Sequence, residues 1–461
     1  MPYKHEVAGS IPAAPTITLN LARSSCVLSG VSENSRGAAH LDIAGMLQRA
    51  LAIWHATPLD FPKLGPSYSL FEQTNRERML DRRLEAIDAE LRKSSRKSTV
   101  AERTIANITS LFVQVSADAL NIEDPEIELL LRNGFSQIGT ELARYARRLD
   151  PDVSMIDILQ AARNAWTACG LQVLLGRPVK LTPAIFAYSM LYPYSDNYLD
   201  DPGVSSAEKL GFSERFRERL EGGRPDVFNG REEMIWRLVG LIENEYQRAN
   251  FSNVYKSLLA IHHAQEESMR QMRNVQKGEI DLVRLTLAKG GASVLADAYL
   301  AAGELSPDEA NFAFNWGVVL QLGDDLQDLY SDRSRGSLTL FTRAAAQGTL
   351  DKITNRTLHF SQYVMTQMPG PRNASLRLNA LLAASSRMLL IRSAANAPDA
   401  YSTDYLGELE KYSPFRFDFL RSREKRFARR RRSYARLFEY AVSGIPDREF
   451  LCRPVSVVVS G

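Results

Sequence analysis

Apolar residues recur at intervals of three and four positions along most of the chain, with polar residues between them. This spacing places the apolar side chains on one face of a helix, so it predicts amphipathic α-helices that pack against one another. The first apolar stripe runs over 41–54 and ends near Pro58, and a highly charged amphipathic helix is predicted over 71–95. Strand patterns are few, and only the tail 454–459 is β-like. The pattern therefore predicts an all-α fold.

Helical patterns resume after a polar linker at 92–103. The further predicted helices are 103–148, 152–175, 183–200, 231–249, 251–302, 307–332, 339–367, 372–396 and 415–442. The helix at 183–200 opens with Thr182-Pro183, a capping residue followed by a proline, which is favoured in the first turn. A Gly/Pro-rich stretch at 221–230 separates this region from the next predicted helix. No internal repeat is evident, so the pattern does not indicate a repeat architecture.

Size and composition narrow the class of protein. The chain has 461 residues, of which 44% are hydrophobic and 24% charged, enough for a large core in one helical body or in two or three domains. Its formal charge of +3 is nearly neutral and indicates no general attraction to nucleic acid. Three widely spaced cysteines form neither a disulfide framework nor a zinc pattern. With no secretory signal and no apolar run of roughly 18 residues, the sequence predicts a soluble, cytoplasmic protein.

Two acidic clusters interrupt this helical pattern. They are Asp196-Asn197-Tyr198-Leu199-Asp200-Asp201 and Asp324-Asp325-Leu326-Gln327-Asp328. In each cluster two carboxylates are four positions apart and so share a helix face, where like charges destabilise a helix by about 0.2–0.5 kcal/mol per pair. Hard divalent cations bind carboxylate oxygens and bridge them to phosphates. The clusters therefore predict a cation site, for Mg²⁺ above all.

The second cluster lies in a longer string that resembles a known motif. QLGDDLQD follows an apolar helix and precedes a basic, glycine-containing loop and Thr339-Leu340. It resembles the second aspartate-rich motif of class I isoprenoid synthases, and most of all the FQxxDDxxD form in trans-prenyl diphosphate synthases. The first cluster, DxxxDD, resembles the first aspartate-rich motif of that superfamily, with a spacing closer to squalene and phytoene synthases. Lys289-Gly290-Gly291 resembles the helix that carries a diphosphate-binding lysine in prenyl synthases, and the resemblance covers roughly 150–370.

The resemblance implies both a fold and a set of site residues. The fold is a single large helical bundle of the class I terpenoid synthase type with an extra N-terminal helical region. Several Mg²⁺ ions would be held by Asp196, Asp200, Asp201, Asp324, Asp325 and Asp328, of which Asp196, Asp200, Asp324 and Asp328 carry the catalytic role. The candidates for binding the diphosphate are Lys289, Lys277, Arg284 and Arg333. A prenyl diphosphate is the implied substrate, and a homodimer stays open.

The pattern and the resemblance together divide the chain into four parts. Residues 1–38 are rich in Ser, Pro, Gly and Ala and are expected to form a flexible N-terminal arm. Residues 39–148 are expected to form the N-terminal helical region and 149–445 the catalytic bundle. Residues 446–461 remain as a C-terminal tail.

The chemistry of an allylic diphosphate explains the implied residue types. Diphosphate leaves only if its growing negative charge is neutralised, which metal ions do as Lewis acids. The allyl cation that remains requires a dry, apolar cavity, and aromatic faces can stabilise it. Aromatic residues near the two motifs are Phe186, Tyr188, Tyr192, Tyr194, Phe312, Phe314 and Trp316.

The sequence around the first cluster bears on the choice of reaction. Chain-elongating synthases resemble one another in a basic pair soon after the first motif, whereas here Asp201 is followed by PGVSSAEKLG. Upstream, Gly176-Arg177-Pro178 and Lys180 match the pattern for isopentenyl diphosphate only in part. This favours ionisation of one linear prenyl diphosphate, farnesyl or geranylgeranyl diphosphate, and its cyclisation by a terpene synthase. The aspartates of the second motif, where terpene synthases carry NxxxS/TxxxE, point instead to a prenyltransferase, either chain-elongating or head-to-head. A non-catalytic helical partner subunit is the third alternative.

Three other features have a structural as well as a functional interpretation. His262-His263 resembles a metal-ligand pair, but adjacent helical residues face different directions, which favours a core or surface role. Gly290-Gly291 costs a helix about 1 kcal/mol per residue, which indicates either close packing or the approach of a ligand. The basic run 421–436 indicates a solvated helix face, a lid over diphosphate or peripheral contact with an anionic membrane surface. No nucleic-acid-binding module accompanies the run.

Overall fold

The computed structural model describes residues 41–94, 136–201, 203–273, 281–369, 375–426 and 429. Every regular element in these residues is a helix, so the predicted all-α fold is confirmed. The N-terminal arm 1–38, the C-terminal tail 446–461 with its β-like segment, and most of the linker 92–103 lie outside the described residues. Among the described residues, no helix has the length and apolar character that a membrane crossing requires.

Sixteen helices are numbered here in chain order. They are α1 Ile43–Ala56, α2 Leu70–Ser94, α3 Ser136–Leu149, α4 Met155–Leu174, α5 Pro183–Asp200, α6 Ser206–Glu221, α7 Gly230–Glu245, α8 Ser252–Arg273, α9 Leu282–Ala302, α10 Pro307–Gln327, α11 Leu329–Arg335, α12 Leu340–Gln347, α13 Asp351–Thr366, α14 Ser375–Ala395, α15 Thr403–Glu410 and α16 over 417–426. A short 3-10 turn, Pro398–Ala400, precedes α15.

Three predicted helices were wrong in extent because each is divided in two. The stretch 251–302 forms α8 and α9, 307–332 lies over α10 and α11, and 339–367 forms α12 and α13. The prediction also missed α6 altogether. Its sequence is highly charged, yet it buries Phe212, Phe216 and other residues on one face. A Ser205–Glu208 capping box marks its start and was the signal that could have found it.

Local capping determines where the two motif-bearing helices begin. Thr182 Oγ1 accepts a hydrogen bond from the Ile185 N–H at 3.2 Å, and Pro183 occupies the first turn, so the predicted start of α5 is confirmed. Ser306 and Glu309 form a capping box at the start of α10. Each helix then runs without a break to the acidic cluster at its C-terminal end.

Helix α9 is the central element of the fold. It contacts α1, α4, α5, α8 and α10, and most of its side chains are buried. A helix that is apolar on all sides is expected in the core of a large protein. Trp54 of α1 is fully buried in the same core, which is continuous through the described helices. The first helix of the predicted N-terminal region therefore shares one core with the helices of the predicted bundle.

Glycines bring the backbones of α9 and α10 into direct contact. A Cβ atom on Gly317 would lie 2.1 Å from the carbonyl oxygen of Gly290, and one on Gly290 would lie 2.7 Å from the carbonyl oxygen of Gly317. A Cβ on Gly291 would lie 2.4 Å from the Phe314 ring. The glycine pair at 290–291 thus serves close helix packing, the first of its two interpretations. This contact places Lys289 beside the end of α10.

The described part of the basic run 421–436 pairs with acidic residues of α2. The ion pairs between α2 and the C-terminal region are Glu77–Arg416, Asp81–Arg423 and Asp88–Arg426. The three acidic residues lie four and seven positions apart, so they share one face of α2. These arginines are therefore held by contacts within the protein, and the residues after 426, except Arg429, lie outside the described residues.

Candidate functional site

The second acidic cluster lies at the junction of α10 and α11. Asp324 and Asp325 are in the last turn of α10, and Asp328 forms the boundary with α11. One turn further, Asp332 is 9% exposed. Helix α11 ends at Gly336, whose φ of +70° lies in the left-handed region that favours glycine. Four carboxylates are thereby held within nine positions at one end of the bundle.

Asp325 is the most buried of the three aspartates of the motif. Its side chain is 8% exposed, and Gln321 Nε2 donates a hydrogen bond to its Oδ1 at 2.8 Å. Burial raises the pKa of Asp325 to about 7, Asp332 and Asp324 add to this effect, and Gln321 and Lys289 oppose it. The charge on this carboxylate is thus poorly compensated by the protein alone.

Asp324 and Asp328 lie at the floor of a concave surface. The Asp324 side chain is 42% exposed and its Oδ1 lies 3.1 Å from an Arg163 guanidinium nitrogen. Burial nevertheless raises the pKa of Asp324, against the opposing charges of Arg163 and Lys289. A side chain can be both surrounded by protein and reached by solvent at the bottom of a cleft. Burial, with a further contribution from Asp324, raises the pKa of Asp328 to about 6.

Only one of the four predicted diphosphate-binding cations is close to these aspartates. Lys289 acts on both Asp324 and Asp325. Lys277 lies outside the described residues, and Arg333 is exposed on α11. Arg284 precedes Lys289 by five positions, so it points about 140° away around α9. The roles of these three residues stay predictions.

Arg163 of α4 was missed by the sequence reasoning, although it is the cation in direct contact with Asp324. It is the only charged residue in the stretch AARNAWTACG, which is otherwise mostly apolar. A single cation in such a setting was the available signal. Arg335 was also missed, and it pairs with Asp332 at 3.1 Å.

The first acidic cluster occupies the C-terminal end of α5. Ser195 Oγ donates a hydrogen bond to Asp196 Oδ1 at 3.1 Å. Asp201 is exposed, and its Oδ1 accepts the Gly203 N–H at 2.8 Å, so this carboxylate closes the turn after the helix. Asp200 ends the helix, and its side chain is not among those described.

Helix α4 brings the two clusters together. Asn197 Nδ2 donates a hydrogen bond to Asp157 Oδ1 at 2.9 Å, while Arg163 bonds to Asp324 at 3.1 Å. Asp157 and Arg163 are six positions apart on α4, a rise of about 9 Å. Both clusters therefore lie over the same two turns of α4, at one end of the space between α4, α5, α9 and α10.

The arrangement of donors bears on metal binding. Among the described residues, no three His, Cys, Asp or Glu side chains converge closely enough to hold a metal ion. Asp324 is held by Arg163, Asp325 by Gln321, and Asp201 by the Gly203 N–H. The all-carboxylate donor set suits Mg²⁺, and burial with mutual repulsion leaves a deficit of positive charge there. Mg²⁺ binding therefore stays a prediction, and it requires Asp324 and Asp325 to turn from their present partners.

A buried polar cluster lies deeper between the same helices, and the sequence reasoning missed it. Asp297 of α9 is 1% exposed, and its Oδ1 accepts a hydrogen bond from Asn164 Nδ2 at 3.0 Å. Its Oδ2 has no hydrogen-bond partner among the described residues. Burial raises the pKa of Asp297 well above its ordinary range. The signal was one aspartate in the apolar stretch SVLADAYLAA.

Asp297→Asn is expected to reduce the loss of stability at rising pH. Because the pKa of Asp297 is raised in the folded state, the folded protein keeps a proton that the unfolded chain loses near the ordinary value of 3.8. The free energy of unfolding then falls by about 1.4 kcal/mol per pH unit above that value until the folded-state pKa is reached. Asparagine has the same shape and no such titration. Urea unfolding between about pH 4 and pH 8 measures the difference in slope.

The matched control is Asp404→Asn, since Asp404 is exposed in the first turn of α15. This variant should follow the wild-type pH dependence. Parallel curves for the Asp297 variant and the wild type would contradict the assignment of a neutral carboxyl at this position.

Ser213, His262 and Glu266 form a second polar cluster, between α6 and α8. Ser213 Oγ donates to Glu266 Oε1 at 2.8 Å, whereas its distance to His262 Nε2 is 3.4 Å. Ser213 is 1% exposed, so this hydroxyl is unavailable to a substrate. The cluster therefore joins two helices and is not arranged as a hydrolase triad. His262 is buried and His263 exposed, in line with the predicted difference in their directions.

The aromatic residues predicted near the motifs have different environments. Phe186, Phe312, Phe314 and Trp316 are buried, whereas Tyr192 is 45% exposed. Two cavities among the described residues lie elsewhere, one against α16 and one between α1, α9, α12 and α13. Neither cavity is lined by these aromatic residues or by the acidic clusters.

Comparison of the chain with protein-family models, with curated proteins and with solved structures found no match. Any functional assignment therefore depends on the motifs and on the geometry of the site.

Proposed function

We propose that the chain is a Mg²⁺-dependent class I isoprenoid synthase of the terpene-synthase type. Its substrate would be a linear prenyl diphosphate, either farnesyl or geranylgeranyl diphosphate. The reaction would break the bond between the allylic carbon and the diphosphate oxygen and cyclise the resulting carbocation to a terpene. The helical bundle would then be of the class I terpenoid synthase type.

One observation carries most of this proposal. The QLGDDLQD string ends α10 at the floor of a cleft, with Lys289 of α9 and Arg163 of α4 beside its aspartates. Carboxylates for metal ions and cations for phosphate oxygens are the two groups that a metal–diphosphate site requires. The hydrogen bond of Asn197 to α4 adds the first cluster to the same end of the bundle.

Each group has a definite role under this proposal. Asp324, Asp325 and Asp328 would hold Mg²⁺, with Asp196 and Asp200 on α5; the bound ions would supply Lewis-acid stabilisation of the departing diphosphate. Lys289 and Arg163 would bind diphosphate oxygens directly through charge-assisted hydrogen bonds. The apolar side chains between α4, α5, α9 and α10 would exclude water from the carbocation.

The position of Arg177 and Lys180 favours cyclisation over chain elongation. Both residues lie in the loop before α5, near Tyr246 and Glu245 respectively. Asp196 is thirteen positions into the helix that starts at Pro183, about 20 Å from that loop. The partial match to an isopentenyl diphosphate site is therefore at the wrong end of α5 for a second substrate beside the first.

The product formed by the purified protein tests the proposal. The protein would be incubated with Mg²⁺ and farnesyl or geranylgeranyl diphosphate, with and without isopentenyl diphosphate. A terpene hydrocarbon or alcohol formed without the co-substrate is the expected result. A longer diphosphate formed only with the co-substrate would identify a prenyltransferase, the alternative that the DDxxD form of the second motif favours. No turnover, with Asp324→Ala changing no other property, would favour a non-catalytic partner subunit.

A further inference from the structure

A cavity of about 210 Å³ lies on the opposite side of α9 from the site described above, between α1, α9, α12 and α13. Three cationic side chains line it, Arg343 of α12 and Lys352 and Arg356 of α13. Trp54 of α1 forms part of the wall. No carboxylate lines the cavity among the described residues. Three like charges thus share a small space without a visible counter-charge.

The three cations are not engaged elsewhere within the described part of the chain. Arg343 and Lys352 form no hydrogen bond or ion pair there. The Arg356 guanidinium lies over the Trp54 ring, 5.7 Å from its centroid, and Arg356 Nε is buried without a hydrogen-bond partner. Burial lowers the pKa of Arg356, and no neighbouring carboxylate opposes this effect. The cost of burying this donor is therefore not offset by any described group.

The carboxylates nearest to the cavity in sequence are engaged in other contacts. Asp351 accepts hydrogen bonds from the backbone N–H of Ser402 at 3.1 Å and from its hydroxyl at 2.6 Å. Asp281 caps α9 by accepting the Arg284 N–H at 2.9 Å. Neither carboxylate lines the cavity.

Helix N-termini add to the positive potential. Val283, Leu340 and Ile353 line the cavity, and they belong to the first turns of α9, α12 and α13. The first turn of a helix carries unsatisfied N–H groups and the positive end of the helix dipole. At α13 the N-cap residue, Leu350, supplies no side-chain hydrogen bond. Backbone donors and side-chain cations therefore converge on one small space.

We infer that this cavity binds a small phosphate anion, inorganic phosphate or diphosphate. Guanidinium groups and helix N-termini are the donors that phosphate oxygens accept best. At about 30 Å³ per water molecule the cavity has room for about seven waters, which fits such an anion and is too small for a prenyl chain. The site shares no residue with the acidic clusters, so the inference stands independently of the proposed function.

Isothermal titration of the full chain with sodium phosphate, and separately with sodium diphosphate, tests this inference. EDTA in the buffer prevents metal-bridged binding of diphosphate at the aspartates. We expect saturable binding by the wild type, and about tenfold or greater weakening in Arg343→Gln and in Lys352→Gln, since each removes a charge-assisted contact. Tighter binding of one anion would tell which of the two the site prefers.

Arg237→Gln is the matched control, because Arg237 is exposed on α7 and the variant carries the same change in net charge. It should bind the anion as the wild type does. Lys352 is also exposed, so its variant is expected to fold, and circular dichroism would verify this for all three variants. No binding by the wild type, unchanged affinity in both cavity variants, or equal weakening in Arg237→Gln would each overturn the inference.

Discussion

Asp324→Asn is expected to lower the turnover of a prenyl diphosphate about a thousandfold while changing the free energy of unfolding by no more than about 1 kcal/mol. Loss of a metal-holding carboxylate removes several kcal/mol of transition-state stabilisation, and about 4 kcal/mol corresponds to a thousandfold change in rate. The fold should tolerate the change, because the Arg163–Asp324 pair is 42% exposed on both sides. Steady-state kinetics with Mg²⁺ and urea unfolding without it provide the two measurements.

Separating these two measurements is the purpose of the experiment. Asp404→Asn removes an exposed carboxylate far from the cluster in sequence and should change neither turnover nor stability. Turnover by Asp324→Asn within threefold of the wild type would refute the proposed role. A loss of turnover matched by a large loss of stability would show that this aspartate acts through the fold.

Glu232→Ala is expected to lower the free energy of unfolding by about 3–5 kcal/mol, the range for breaking a buried ion pair. Glu232 of α7 is 1% exposed, and its Oε2 accepts hydrogen bonds from Arg215 Nε at 3.1 Å and from the Phe228 N–H at 3.0 Å. The change would leave Arg215 of α6 without its partner and the Phe228 N–H without an acceptor. Urea denaturation measures the expected shift.

The adjacent residue supplies the control for this variant. Glu233 is exposed in the same first turn of α7, so Glu233→Ala should cost less than about 1 kcal/mol. Glu232→Gln keeps an acceptor for the Phe228 N–H and should recover part of the loss. Equal effects of the Glu232 and Glu233 alanine variants would show that the α6–α7 pair contributes little to stability.

Several local features of this chain followed from short-range sequence signals. The Thr182-Pro183 cap predicted the start of α5, and the apolar spacing before Asp324 predicted the helix that carries the second cluster. These signals work because helix caps and helix faces depend on residues within about four positions of each other. The same signals failed at α6, where dense charge hid the apolar face and only the capping box remained.

The sequence by itself determined the all-α class and the pairing of carboxylates on one helix face, since both depend on spacing along the chain. Only the tertiary structure decided which cations meet these carboxylates. Arg163 and Asp324 are 161 positions apart, and no local pattern links them. The burial of Asp297, the contact of Gly290 with Gly317 and the meeting of three helix N-termini have the same origin. Each depends on how distant helices pack, which is set by the whole core and not by any single segment.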